Sequence, residues 1–307
     1  MKTASKIGQR GKLILYISIM AIPVIQFILF YILVNANSIL LSFKKFDVVD
    51  GAYVQVFVGF ENISKVISDL FTTESFLNMI KNSLLFYGVS VIGGTVLSLA
   101  FSYYIYKKGF GGNFFKTMLF LPNIVSTMVI AIMYSEFGMY GFPEIMQSVF
   151  GVDVEYFHKL QDSAIYYLIF FNLLTSFGPN VLIYTGTMSG ISDSVIEAAQ
   201  IDGVNAWQEF FHIVLPSIFS TFALFIITGM VTIFNGQANL FSFYGLEKGS
   251  EKFQTLGFYI YREVASSGIN ATNHPYLAAL GMVLTFIAIP LVFTGRWLLN
   301  KYGPKEN

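Results

Sequence analysis

Six long stretches without Asp, Glu, Lys or Arg constrain the fold more than any other feature of this sequence. They contain 19 to 34 residues each and cover 13–43, 82–106, 117–135, 163–192, 213–246 and 275–295. About 20 apolar residues span the hydrocarbon core of a bilayer as a helix, and a charge at its centre is costly. Strict alternation of apolar and polar residues, which is typical of barrel strands, is absent. The sequence therefore predicts an all-α polytopic membrane protein with six transmembrane helices, one in each stretch.

The composition agrees with a membrane protein and excludes several functions. Of the residues 55% are hydrophobic and 12% are charged, which is about half the usual charged fraction. Equal numbers of acidic and basic residues, 18 each, leave no net field that would attract nucleic acid. Without cysteine, and with His158, His212 and His274 far apart, the chain lacks thiol chemistry and the usual zinc ligand sets. We expect no catalytic residues, no bound metal and no nucleic-acid partner.

Basic residues near the ends of the stretches predict the orientation in the membrane. Three groups lie on the same side if the helices alternate: Lys2, Lys6, Arg10 and Lys12; Lys107, Lys108 and Lys116; Arg296, Lys301 and Lys305. Because positive residues concentrate on the cytoplasmic side, both termini are predicted to be cytoplasmic. The predicted organisation is a cytoplasmic segment at 1–12, a transmembrane domain at 13–300 and a cytoplasmic tail at 301–307. The first stretch is too long for a signal peptide and is interpreted as an uncleaved anchor.

The connection between the fourth and fifth stretches contains two predicted short helices. Ser194 and Glu197 have the spacing of a capping box, which predicts a helix from Val195. Gly203 favours a left-handed turn at the end of that helix, and Asn205 can cap a second one. The connection, which includes no Lys or Arg between residues 189 and 212, is thus predicted to hang below the membrane as helix, turn and helix.

Small and acidic residues give this connection a distinctive predicted surface. Ala198 and Ala199 permit close approach, and Glu197, Asp202 and Glu209 are predicted to surround them with negative charge. From side-chain chemistry alone, two interpretations remain open. The small residues either pack against the chain itself or enter the groove of a partner.

The connection also resembles a known signature. The run Glu197-Ala198-Ala199, Asp202-Gly203, Phe210, Ile213 and Leu215-Pro216 resembles the EAA signature of membrane subunits of ATP-binding-cassette importers, with Val204 where the family usually has alanine. Segments 58–62, 119–122 and 276–279 are similar to the carbohydrate-uptake branch, which includes the maltose and multiple-sugar permeases. The resemblance implies a type I importer permease bundle with a cytoplasmic coupling helix at about 192–212.

The resemblance further implies a set of partners. The coupling helix of such a subunit docks in a cleft of a cytoplasmic ATPase, with the docking residues here being Glu197, Ala198, Ala199, Asp202 and Gly203. The implied assembly holds a second six-span permease, a different chain in most of this branch, two ATPase subunits, and an extracytoplasmic substrate-binding protein or lipoprotein. ATP and Mg would be used by the ATPase subunits, since the glycines at 109–112 lack the spacing and the Lys-Ser/Thr ending of a phosphate-binding loop. The implied location is a bacterial cytoplasmic membrane.

Uncharged polar residues within two stretches form a second candidate site. They are Asn172, Ser176 and Asn180 in the fourth stretch and Thr228, Thr232, Asn235 and Asn239 in the fifth. Those of the fifth recur at helical spacing and therefore share one face. Amides and hydroxyls suit a neutral solute such as a sugar, on which nearby Phe171, Tyr184 and Phe234 could stack. The alternative is that they hydrogen-bond neighbouring helices.

The sequence is therefore compatible with several functions. The favoured one is the permease subunit of an ATP-driven importer that passes a sugar or oligosaccharide by alternating access. The same importer could carry amino acids, peptides or phosphate instead. An ion-coupled secondary transporter would need buried carboxylates within the stretches, and there are none. A membrane enzyme would need a cluster of acids and bases; Glu136, Glu144, Asp153, Glu155 and His158 are close in sequence but without regular spacing.

The predicted external segments near 44–81 and 236–274 are long for simple connections. They are predicted to receive a substrate-binding protein or to pack on the bundle as interfacial helices, and both can hold together.

Overall fold

The structure, a computed structural model, describes residues 2–49, 52–154, 164–246, 252–266 and 271–304. Its α-helices are α1 (Lys2–Phe27), α2 (Leu33–Ser42), α3 (Glu61–Thr72), α4 (Glu74–Tyr87), α5 (Gly94–Tyr106), α6 (Gly112–Phe120), α7 (Thr127–Glu136), α8 (Phe142–Phe150), α9 (Ala164–Met188), α10 (Asp193–Ile201), α11 (Ala206–Glu209), α12 (Leu215–Ser217), α13 (Phe219–Asn235), α14 (Leu240–Tyr244), α15 (Leu256–Ser266) and α16 (His274–Tyr302). Two strands, β1 (Lys44–Val49) and β2 (Ala52–Phe57), lie between α2 and α3. Short π-helical segments (Ile28–Ile32, Gly88–Gly93, Phe137–Gly141 and Phe210–Val214) and 3₁₀ turns (Leu121–Asn123 and Ala271–Asn273) occur at the ends of several of these helices.

Among the described residues, four helices are long and apolar enough to cross a membrane. They are Gly11–Ser42, Glu74–Tyr106, Ala164–Met188 and His274–Tyr302, which we call spans one, two, four and six. Two bent pairs bring the number to six if each pair is one span: Gly112–Asn123 with Thr127–Phe150, and Ala206–Ser217 with Phe219–Asn235. We call them spans three and five. The all-α polytopic class is confirmed, and the predicted six spans agree with the upper figure.

Spans three and five are not the single helices that the sequence predicted. Their halves meet at bends of 98° and 73°. In span three the break follows the 3₁₀ turn Leu121–Asn123, which contains Pro122, and in span five it lies at Ile218, two residues after Pro216. Proline lacks the N–H that would continue the helical hydrogen bonds and clashes with the preceding turn. Hydropathy measures apolar length and does not detect such a bend.

The chain divides into two compact units. The first comprises the described residues of Met1–Ser68 and Ser267–Val283. In it, β1 and β2 form an antiparallel hairpin with Lys44 opposite Phe57. Asn62 Nδ2 donates to the carbonyl oxygens of Ser42 and Lys44 at 2.9 and 2.7 Å. The buried side chains of this unit include Val66, Leu277 and Leu280.

The second unit comprises the described residues of Asp69–Ser266 and Leu284–Asn307 and contains both candidate sites. Spans two and four pack closely because small hydroxyl residues face the partner backbone. Ser98 Oγ donates to the carbonyl of Phe177 at 3.1 Å, and Ser102 Oγ donates to that of Val181 at 3.0 Å. The Phe101 and Phe177 rings stack at 5.8 Å. These contacts fix spans two and four relative to each other.

Candidate functional site

The first helix of the 189–212 connection begins earlier than the sequence predicted. Helix α10 starts at Asp193 with Ser192 as its N-cap, and Ser192 Oγ bonds the hydroxyl of Ser194 at 2.7 Å. The predicted capping box of Ser194 and Glu197 is therefore wrong. Ser192 already has the extended backbone of an N-cap residue, so Ser194 lies inside the first turn.

The turn and the second helix form as predicted. Gly203 has a left-handed backbone with φ +73° and ends α10. Asn205 Oδ1 accepts a hydrogen bond from the Gln208 backbone at 2.9 Å, and Gln208 Oε1 accepts one from the Asn205 backbone at 3.0 Å. This reciprocal capping box starts α11 and sets its angle to α10.

The outward surface of the connection is partly acidic and partly apolar. Glu197, Ala198 and Asp202 are exposed, whereas Ala199 is buried. Ile201 and Trp207 are 86% and 75% exposed, unusually high values for large apolar side chains. Only one of the two adjacent alanines thus lies on the face open to a partner.

Glu209 does not belong to the acidic ring in which the sequence placed it. Its side chain is 4% exposed and lies 3.0 Å from the Lys107 ammonium at the end of span two. Spacing along the sequence did not reveal this partner, because Lys107 is 102 positions away.

A cavity of about 400 Å³ lies between spans two, four and five in the second unit. Six of the seven polar residues predicted for the pathway line it, namely Asn172, Ser176, Asn180, Thr228, Thr232 and Asn239. The seventh, Asn235, is exposed and is not among the lining residues. The structure thus gathers residues of two spans that are about 50 positions apart.

Span two contributes lining residues that the sequence analysis missed. These are Ser83, Ser90 and Thr95, and the segment after span five adds Gln237 and Thr255. The hydroxyl of Ser90 is buried without a hydrogen-bond partner among the described residues. The sequence offered little signal for the three residues of span two, because the same stretch also contains Asn82, Ser98 and Ser102, which are not among the lining residues.

Several lining hydroxyls donate back to their own helix. Thr228 Oγ1 donates to the Leu224 carbonyl at 2.7 Å, and Thr232 Oγ1 donates to the Gly229 carbonyl at 2.6 Å. Such hydroxyls keep oxygen lone pairs that can accept a hydrogen bond from a solute. The cavity wall therefore offers acceptors without breaking contacts between helices.

Asn172 has a different role in the wall. Its Nδ2 donates to the Ala238 carbonyl at 2.9 Å, and its Oδ1 accepts from Asn239 Nδ2 at 3.0 Å. Ala238 and Asn239 have φ of +49° and +53°, a left-handed backbone that is unfavourable for alanine. The Asn172 amide thus fixes the segment that follows span five along one side of the cavity.

The aromatic residues expected near the pathway lie elsewhere. Phe171 and Tyr184 are fully buried in apolar clusters, and Phe234 is not among the lining residues. Phe86, Tyr87 and Phe225 line the cavity instead. No Asp, Glu, Lys or Arg is among the lining residues in the described part of the chain. The cavity therefore combines hydroxyls and amides with aromatic rings and carries no fixed charge.

Acidic residues do not assemble into a metal site in the described ranges. No group of three or more His, Asp or Glu residues there could hold a metal ion. Glu155 and His158 of the acidic cluster considered above lie outside the described residues.

The family model "Binding-protein-dependent transport system inner membrane component" matches residues 90–305, which include the connection and all of the cavity lining except Ser83, Phe86 and Tyr87. The chain belongs to this family. This inner-membrane component is 25% identical to the probable ABC transporter permease YurN of Bacillus subtilis, over 92% of the chain and 94% of YurN. It is 27% identical to the sn-glycerol-3-phosphate permease UgpA of Shigella dysenteriae, over 76% of the chain and 77% of UgpA.

Further similarities come from a relative and from solved structures. The inner-membrane component is 23% identical to AmyD of Thermoanaerobacterium thermosulfurigenes, a probable permease for starch degradation products, over 57% of the chain and 59% of AmyD. Its fold is that of a chain in a bacterial ABC transporter involved in importing the acidic polysaccharide alginate. The TM-score is 0.74 at 19% identity, covering 97% of this chain and 99% of that one. A chain of a bacterial alginate ABC transporter in complex with an alginate pentasaccharide-bound periplasmic protein matches with the same TM-score, at 20% identity over 95% of this chain and 96% of that one. The predicted permease bundle is confirmed.

Proposed function

We propose that this inner-membrane component is the permease subunit through which an ATP-driven importer passes a neutral sugar or oligosaccharide into the cytoplasm. The uncharged cavity carries this proposal. Its hydroxyl and amide groups match the hydrogen-bonding groups of a carbohydrate, and its aromatic rings match the apolar faces of a sugar ring. The relative AmyD, named for starch degradation products, supports the same class of cargo.

The proposed cargo is neutral, although two similar proteins are named for anionic substrates. UgpA is named for sn-glycerol-3-phosphate and the structural neighbour for alginate. A fixed anion in a low-dielectric site needs a compensating charge. The described lining of this cavity provides none, which favours a neutral solute over an anion or an amino acid.

The proposed assembly and orientation follow the family. This subunit pairs with a second permease, two cytoplasmic ATPase subunits bind below, and an extracytoplasmic binding protein or lipoprotein delivers the sugar. Both termini are cytoplasmic, in a bacterial cytoplasmic membrane. The subunit itself has no ATPase site, and the partner ATPase subunits bind and use ATP and Mg.

The proposed ATPase-docking surface consists of Glu197, Ala198, Asp202 and Gly203, while the fifth docking residue that the signature implied, Ala199, is buried behind it. The exposed carboxylates of Glu197 and Asp202 support it, since they can accept charge-assisted hydrogen bonds from basic residues of a partner. Ala198 permits close approach, and Gly203 sets the turn. Movement of this surface when the ATPase pair closes on ATP would open the cavity outward, and ATP hydrolysis would return it inward.

The test is ATP hydrolysis by the reconstituted complex, with the binding protein loaded from a panel of neutral and anionic saccharides, amino acids and peptides. We expect stimulation by a neutral saccharide. Stimulation by an amino acid, a peptide or an anion instead would contradict the cargo but keep the importer. Failure of the chain to bind any ATPase subunit would contradict the importer as well.

Two variants test the docking surface in the same assay. Glu197→Lys reverses the charge that faces the partner and should abolish stimulation. Gly203→Val places a β-branched residue in the left-handed region, at a cost of roughly 1–2 kcal/mol, and should reduce coupling, whereas Gly203→Asn should retain it because asparagine tolerates that region. Wild-type transport by both Glu197→Lys and Gly203→Val would contradict this assignment.

A further inference from the structure

An ion pair with a buried carboxylate and a partly exposed ammonium group connects the end of span two with the start of span five. Lys107 Nζ lies 3.0 Å from both carboxylate oxygens of Glu209. The exposed fractions of the two side chains are 36% and 4%. The 189–212 connection contains no Lys or Arg of its own. Its buried carboxylate is therefore neutralised by a cation from the connection between spans two and three.

Two further contacts join the same elements. Tyr103 Oη donates to the Ala206 carbonyl at 3.1 Å, and the Tyr103 ring meets the Phe210 ring edge-on at 5.2 Å. All three contacts reach α11 or the turn that follows it, on the far side of Gly203 from α10. They fix the second helix of the connection to span two.

Stability alone is a weak reason for this pair. Removing the Glu209 carboxylate from water costs free energy that its attraction to a partly exposed ammonium group largely offsets, so the net gain in stability is small. Loss of Lys107 is costly, however, because the Glu209 charge then remains buried without a partner. An ion pair of this kind enforces one relative position of the two elements it joins.

We propose that Lys107 and Glu209 are positioning residues that transmit the movement of the coupling connection to span two. This inference rests on the proposed function. Span two is continuous from Glu74 to Tyr106, and its residues Ser90 and Thr95 line the cavity. A displacement of α11 is therefore passed through the ion pair to span two and moves the cavity wall there. This route acts in addition to the direct covalent connection of α11 to the rest of span five.

The test uses the complete reconstituted complex and compares the sugar transported per ATP hydrolysed. Glu209→Gln and Lys107→Met should bind the ATPase subunits normally and keep basal hydrolysis, while transport per ATP falls roughly tenfold, within the range typical of coupling between sites. The exchange Lys107→Glu with Glu209→Lys should recover most of it. The matched control is Lys108→Met, which removes the same charge one position later from an exposed side chain and should resemble wild type.

Three results would overturn the inference. The first is that both single variants transport as much sugar per ATP as wild type. The second is that they no longer bind the ATPase subunits, which would make the ion pair part of the docking surface. A charge exchange that folds but remains as impaired as the single variants would show that attraction between the two charges is not what matters. If the wild-type complex shows no saccharide-stimulated hydrolysis, the proposed function fails first and this inference falls with it.

A distance measurement tests the proposal even if the variants of Lys107 and Glu209 fail to fold. The chain contains no cysteine, so spin labels can be placed at Phe110→Cys and Trp207→Cys, which are 96% and 75% exposed in the native chain. In an otherwise wild-type complex, their separation should stay the same with and without ATP, because the two connections move as one body. A separation that changes with ATP would overturn the proposal without any change to the ion pair.

Discussion

Asn172 and Thr228 illustrate two roles of polar residues within one cavity. Both line it. Asn172 is 7% exposed and uses its amide to hold the backbone of Ala238 and the side chain of Asn239. Thr228 is exposed and bonds only its own helix among the contacts described for it. The first residue supports the wall, and the second presents an oxygen to whatever enters.

This difference predicts different results for two substitutions. Asn172→Leu should lower both transport and stability, with a stability loss of about 1–3 kcal/mol, because it leaves a buried carbonyl and an amide without partners. Thr228→Val keeps the shape and removes the hydroxyl, so it should lower transport several-fold at unchanged stability. Thermal unfolding of the purified complex and sugar uptake by proteoliposomes measure the two effects.

Thr117→Val is the matched control. The Thr117 hydroxyl also donates to its own helix, to the Asn113 carbonyl at 3.0 Å, and lies outside the cavity lining. Uptake should therefore equal that of wild type. If Thr228→Val transports normally, or loses stability as Asn172→Leu does, Thr228 packs helices and does not contact the solute.

At the scale of the elements, the contact between spans three and four depends on a single missing side chain. A Cβ atom at Gly178 in α9 would clash with the carbonyl oxygen of Leu119 in α6. Close approach of helix backbones through small residues is the usual basis of packing in membranes. A backbone carbonyl cannot move aside as a flexible side chain can.

Gly178→Ala should therefore destabilise the protein by about 1–3 kcal/mol, the usual cost of overpacking. Gly186→Ala is the control in the same helix, since its Cβ would meet no atom within 4 Å, and alanine should leave stability unchanged or improved. Thermal unfolding in detergent checks both. Equal unfolding temperatures for the two variants would contradict the close approach of α6 and α9.

The elements also show where prediction from the sequence succeeded and failed. Apolar length located the spans, and the Asn205 cap and Gly203 turn followed from local chemistry. Pro122 and Pro216 lie beside the bends of spans three and five, whereas Pro23, Pro179 and Pro290 lie inside continuous helices, so proline alone does not predict which helix breaks. Glu209 was placed on the wrong face because burial depends on Lys107, a contact that no local pattern encodes.

For the whole molecule, the orientation in the membrane stays a prediction from charge, and the absence of cysteine makes it testable. Single cysteines at Phe110 and at Tyr53, both exposed in the native chain, should react from opposite sides with a membrane-impermeant maleimide. Phe110→Cys should react only in inside-out vesicles, because Lys107, Lys108 and Lys116 surround it in sequence. Tyr53→Cys should react in intact cells.

Reaction of Phe110→Cys in intact cells would invert the orientation and place the proposed docking surface outside the cytoplasm, where no ATPase could reach it. The topology experiment thus tests the importer assignment independently of any transport assay.

The membrane class, the approximate spans and the polar residues of spans four and five follow from the sequence alone, because apolar length, helical period and capping chemistry act over neighbouring residues. The EAA signature also located the 189–212 connection, which lies within the residues that the family model matches. Which polar residues share a cavity, which carboxylate is buried and which glycine lies against a carbonyl depend instead on tertiary packing. These features join residues up to about a hundred positions apart, and only the packing of helices against one another brings them together.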